Sequence, residues 1–177
     1  MYDVGPLTGL VLLVLVFSLC APGAQAAGIP RPEHPEPMAE RGEWLNLNGE
    51  WEFAETDADE TGRFLAPEPY PLRIQVPFCR ESALSGLGHK GFIKNVWYRR
   101  TFTKPADWQS PRLRLHIDAC DWRTRVWVNG ILAGQHTGGN TRFSFDITEL
   151  VQSGDNTVVV HAFDDTAGGL QALGKQS

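Results

Sequence analysis

Residues 125–148 read RVWVNGILAGQHTGGNTRFSFDIT, and this stretch decides the fold. Val126 and Val128 alternate with their neighbours, the period of a strand with one buried face. Asn129-Gly130 follows. Both positions tolerate positive φ, as the type I′ turn between two antiparallel strands requires. Ile131 to Gln135 is then the return strand, and Phe143 and Phe145 alternate in a third.

The same grammar extends in both directions. Upstream, Trp51 and Phe53 alternate in GEWEF, and Ile74 and Val76 in RIQVP. NVWYRRTFT (95–103) places Trp97 and Arg99 on one face and Tyr98 and Arg100 on the other. Leu113, Leu115 and Ile117 alternate strictly, sending Arg112, Arg114 and His116 to solvent. Downstream, Thr148–Val151 reads as a single helical turn ended by Gly154. Asp155-Asn156 reads as a second tight turn, and Thr157 to Phe163 is a β-branched strand. Apolar alternations separated by turn residues, with no alternation of strand and helix, predict an all-β sandwich of two sheets and about eight strands.

The first residues follow other rules. Leu10 to Cys20 is an apolar run, and Ala24-Gln25-Ala26 is a small-x-small cleavage pattern, so residues 1–26 read as a signal peptide. The run is shorter than the roughly 20 residues that span a bilayer. Export places the chain outside the cell or in the periplasm, with no membrane attachment after cleavage. Residues 27–42 hold four prolines among charged residues and read as an extended arm, leaving 43–177 as the folded domain. Without residues 1–26 the chain carries 16 basic and 20 acidic side chains, a net charge of −4, which argues against a nucleic-acid partner. Cys79 and Cys120 then remain, either paired or as two buried thiols, and no C-x-x-C is present.

Chemistry-bearing residue types are scattered. Glu50, Glu52 and Glu55 lie along one strand, where alternating glutamates form a solvated face rather than a catalytic pair. Asp118 and Asp121 flank Cys120 and read as a strand-end turn binding local backbone amides. His34, His89, His116, His136 and His161 lack metal-ligand spacing, and His116 and His161 fall on polar strand faces. Gly138-Gly139-Asn140 reads as a turn needing positive φ. Trp51, Trp97 and Trp127 lie within strands and read as packing residues, whereas Trp44, Trp108 and Trp122 fall at strand ends or in loops, where a flat ring can stack on a sugar. No catalytic residue, metal site or cofactor is expected.

The ordered series NLNGEWEF (46–53), VPFCRESALSGLG (76–88), VWYRRTFTKP (96–105), VWVNGILAGQHTGGNTRFSFDIT (126–148) and GDNTVVVHAFDDTAGGLQALGKQ (154–176) resembles the sugar-binding domain of glycoside hydrolase family 2. That family includes β-galactosidases, β-glucuronidases and β-mannosidases. The resemblance implies a galactose-binding-like jelly roll that braces the rest of a β-galactosidase-like enzyme hydrolysing O-glycosyl bonds. It also implies partner domains, one immunoglobulin-like and one (β/α)8 barrel carrying two glutamates for a retaining mechanism. The segment Asp164 to Gln176 matches a loop directed toward the barrel mouth, so the resemblance implies substrate or barrel contact by Asp165, Gln171, Lys175 and Gln176. Ala172-Leu173 stands where relatives often carry Pro-Arg. The chain is expected to be C-terminally truncated, stopping in the Gly-Lys-Gln region before the family's next strand. A free-standing carbohydrate-binding module is the alternative expectation, since the same jelly roll serves that role elsewhere.

Overall fold

The computed structural model describes residues 28–165. The expected signal peptide and Gln171, Lys175 and Gln176 lie outside them. Eight strands are present among the described residues: β1 (Gly49–Thr56), β2 (Leu72–Val76), β3 (Asn95–Thr103), β4 (Arg114–Ile117), β5 (Arg123–Val128), β6 (Ile131–Thr137), β7 (Phe143–Asp146) and β8 (Asp155–Phe163). Six form one antiparallel sheet in the order β2-β1-β3-β8-β5-β6, and β4 pairs with β7 in a second. The all-β sandwich expected from the alternation is therefore the fold.

Side-chain alternation explains the layering. Trp51 and Phe53 of β1, Ile74 of β2, Val126 of β5 and Val158 and Val160 of β8 point to one face of the large sheet. Leu115, Ile117 and Phe145 of the small sheet close over them. The two sheets approach tightly at Gly134 of β6, where an added Cβ would overlap the Phe145 ring.

The opposite face is not the solvated one that its polar residues predict. Residues 57–71 cross it, carrying a one-turn helix, α1 (Thr61–Leu65). The sequence reading misses this helix because TGRFL is too short to show a period. Phe64 and Tyr70 from this segment pack with Ala54, Trp97, Trp127 and Val159 in a second core. Phe64 stacks on Trp97 with centroids 5.0 Å apart, and the Tyr70 hydroxyl donates to Phe64 O at 2.9 Å.

His161 must be corrected accordingly. It lies on the polar face, as alternation requires, but is fully buried and stacked on Trp97 at 4.0 Å. Its Nδ1 accepts from Arg125 Nη2 at 3.0 Å, because a guanidinium only donates, so its Nε2–H donates to Asn95 Oδ1 at 2.9 Å. Asn95 Nδ2 donates onward to Asp57 O at 3.0 Å, and Arg125 Nη2 to Asp59 Oδ2 at 2.5 Å. The chain of polar partners stitches β3, β8 and β5 to the covering segment. His116, by contrast, is exposed as expected.

The Asn129-Gly130 turn forms as read, with φ of 50° and 79°. Asn129 does more than turn. Its Nδ2 donates to Leu150 O and to Asn156 Oδ1, both at 2.8 Å, and its Oδ1 accepts from Thr157 N at 2.9 Å. Asn156 is buried inside β8 rather than in a turn, and the reversal falls one step earlier at Gly154, with φ of 85°.

Two outcomes are expected. Gly134→Val forces the Phe145 ring aside and destabilises the fold by about 1–3 kcal/mol, measured by urea unfolding. Burial, then the Arg125 charge, lowers the His161 pKa to about 4, against about 6.5 in an unfolded chain. Below that higher value the unfolded state binds a proton that the folded state refuses. The stability this group contributes is complete above pH about 6.5 and is lost as the pH falls toward about 4. Urea midpoints across this window should fall more steeply for the native chain than for His161→Gln.

Candidate functional site

The β3–β8 register decides which residues meet at one end of the sandwich. Asn95 faces Phe163, and Asp164 N donates to Lys94 O at 2.9 Å, extending the ladder one pair beyond the strands. Lys94 Nζ then reaches Asp165 Oδ2 at 2.9 Å. Arg123, the first residue of β5, pairs with Phe163 on the other side, so the preceding Asp121 arrives at the same end.

A cleft of about 400 Å³ opens here. Its floor is the edge of the inner sheet face, with Val96, Tyr98 and Ala162. One wall is the segment 79–94, which leaves the end of β2, crosses the inner face and returns to β3. Arg80 braces it. Its Nε donates to Glu55 Oε1 at 2.5 Å, and its Nη1 donates to Glu81 Oε1 and Gly91 O, both at 2.8 Å. His89 Nδ1 lies 3.1 Å from Glu55 Oε2. Phe92, which is half-exposed, stands on this wall.

Asp121 and Asp164 also line the cleft. Partial desolvation, then the neighbouring Asp164 charge, pushes the Asp121 carboxyl above the usual carboxylate range. Gly139 packs against Asp121. A Cβ at 139 would lie 2.5 Å from Asp121 Oδ1 and 2.6 Å from its Cγ. In the expected glycine turn only Gly138 has positive φ, at 125°, so a side chain at Gly139 would meet the Asp121 carboxylate and not a backbone restriction.

The remaining candidates resolve one by one. Glu50 and Glu52 share the outer face, but Glu55 lies on the inner one. Glu52 is bound by Arg99 and Arg73, and Glu50 faces Arg73 at 3.8 Å. Asp118 does not serve the local backbone. It accepts from Arg142 Nε at 2.7 Å, and Arg142 also pairs with Glu36 of the proline-rich segment. Asp165 is paired with Lys94, which lines the cleft. Cys79 and Cys120 are neither paired nor both buried: Cys79 is exposed, and burial raises the Cys120 pKa, which makes it a poor nucleophile. Trp51, Trp97 and Trp127 are buried, Trp44 packs edge-on with His34, and Trp122, beside Asp121, is 43% exposed. Among the described residues no group of three potential ligands gathers for a metal.

The sequence reading took Asp121 for part of a strand-end turn and missed Lys94 and Phe92. Lys94 and Asp165 are 71 positions apart, and only strand register brings them together. The weak signal available was Asp121 itself, a charged residue two positions before β5, whose register fixes its position.

The profile described as "Glycosyl hydrolases family 2, sugar binding domain" matches residues 67–170. A β-glucuronidase of Paenibacillus borealis is 31% identical over 120 residues, covering 65% of this chain and 20% of that protein. A β-galactosidase of Thermoanaerobacter pseudethanolicus is 27% identical over 112 residues, covering 63% and 15%. The solved structure of Bifidobacterium dentium β-glucuronidase complexed with coumarin-3-O-glucuronide superposes with a TM-score of 0.59 at 30% identity, covering 66% of this chain and 19% of that one. The matched region thus spans about a fifth of the length of the β-glucuronidases. The series of strand motifs, the sandwich they build and these matches agree: the chain belongs to glycosyl hydrolase family 2, and its residues 67–170 match that family's sugar-binding domain.

Proposed function

We propose that this domain is the non-catalytic brace of an exported family 2 β-glycosidase, and that its cleft end faces the catalytic barrel of that enzyme. The observation that carries this reading is the position of Asp165. It opens the segment that the family resemblance directs toward the barrel mouth, and Lys94 ties it to the end of the sandwich where Asp121 and Asp164 also lie. The matched region covers only about a fifth of the β-glucuronidases it resembles, which supports bond cleavage by the remainder of such an enzyme. There, two carboxyl groups in the barrel would act as acid/base and nucleophile. This chain's part is to hold hydrogen-bonding groups at the edge of the reacting sugar, with Asp165 first and Gln171, Lys175 and Gln176 following along the segment.

The relatives named β-glucuronidase favour a β-glucuronide as the parent substrate, and Lys175 offers a cation for a uronate carboxylate. A β-galactoside is the second reading, favoured by the β-galactosidase relative. Export is supported by the apolar run Leu10–Cys20 and the small residues after it.

The pure chain is expected to release no 4-nitrophenol from its β-glucuronide or β-galactoside. In an enzyme carrying this domain, Asp165→Ala should lower kcat/KM by about 10- to 100-fold, the cost of one charge-assisted hydrogen bond, without moving the thermal midpoint. Hydrolysis by the pure chain, or unchanged turnover by the variant, would overturn the reading. The ratio of glucuronide to galactoside turnover identifies the sugar.

A further inference from the structure

The cleft holds more than a route to Asp165. Its floor of Val96, Tyr98 and Ala162 is largely apolar, and the half-exposed Phe92 stands on its wall. Asp121 and Asp164 line the cleft as well. A pyranose ring needs this combination. Its C–H face rests on an aromatic ring, and its hydroxyls donate to carboxylates, which only accept. The cleft, about 400 Å³ and half open to solvent, has room for one such ring.

Charge narrows the ligand further. Two cations line the cleft, Arg80 and Lys94. Arg80 is committed to Glu55, Glu81 and the Gly91 carbonyl, with its side chain only 12% exposed. Lys94 is committed to Asp165. An anionic sugar would therefore meet the partly desolvated Asp121 carboxylate with neither of these cations released to balance it, an unfavourable arrangement. A neutral sugar meets no such penalty.

We infer that this cleft is a subsite for a neutral pyranosyl ring, held on Phe92 and hydrogen-bonded to Asp121. The inference deepens the preceding proposal and rests on it in one respect: facing the barrel, the subsite receives the leaving-group sugar of a longer glycoside. Binding itself needs only the groups named, so it is measurable on the full chain.

The test is a titration of the ¹⁵N-labelled chain, followed by amide shifts, with methyl β-D-glucopyranoside, methyl β-D-galactopyranoside and methyl β-D-glucuronide. Saturable shifts at 79–81, 91–96, 121–122 and 162–164 are expected with the neutral glycosides, with Kd on the order of millimolar. The glucuronide should bind at least about fivefold more weakly, and Phe92→Ala and Asp121→Asn should each weaken neutral-sugar binding about three- to tenfold with the spectral dispersion retained. A well-dispersed spectrum with no saturable shift overturns the inference, as do shifts confined to other surfaces or a glucuronide that binds as tightly as the neutral sugars. Such a failure leaves the barrel-facing proposal intact, because that proposal is judged by turnover of the Asp165→Ala enzyme. Conversely, unchanged turnover there does not alter the titration.

Discussion

Trp97 and His161 lie ring against ring at the centre of the large sheet, where β3 and β8 pair over nine residues. The other elements are arranged around that contact. A central strand in a sandwich presents one face to the opposing sheet, and its other face must be either polar and wet or covered. Here it is covered. Trp97 and Trp127 supply too much apolar area to leave to water, yet Arg99, Arg125, Asn95 and His161 share the face. The segment 57–71 satisfies both requirements, with Phe64 and Tyr70 over the aromatics and Asp57 O and Asp59 for the polar groups. A buried polar chain of this kind is tolerated only when every member has its partner. Among the described residues no buried side-chain nitrogen or oxygen is left without one.

This arrangement marks what alternation reveals in a sequence. Period-two patterns located the strands, and they placed His161 correctly opposite Val158 and Val160. They left open whether the polar face is wet, because polarity reports hydrogen-bonding demand and not its source. His161 meets that demand with Asn95 and Arg125 in place of water. The Asn129-Gly130 turn was legible because positive φ is a local property. The reach of the Asn129 side chain to Asn156 and Leu150 was not, since it depends on tertiary placement. The cleft was the least legible feature. Its walls come from segments near residues 80, 92, 121 and 164, and no local pattern joins them.

Register supplies the join. Once Asn95 faces Phe163, Lys94 must meet Asp164 and lie within reach of Asp165. Once Arg123 faces Phe163 from the other side, Asp121 must sit beside that end. The same ladder that stabilises the sandwich therefore sets the spacing of the carboxylates at its end. That is how a rigid scaffold holds the functional groups of its loops in place.

Gly139 carries this logic outside the cleft. Its missing Cβ is the space that the Asp121 carboxylate occupies. A methyl group at 139 can be admitted only if Asp121 swings away or is itself shortened. The two positions are thus bound in sequence drift. Family members that lose the glycine should be those that have also changed the acid, and position 139 can re-aim the carboxylate during divergence without touching a ligand.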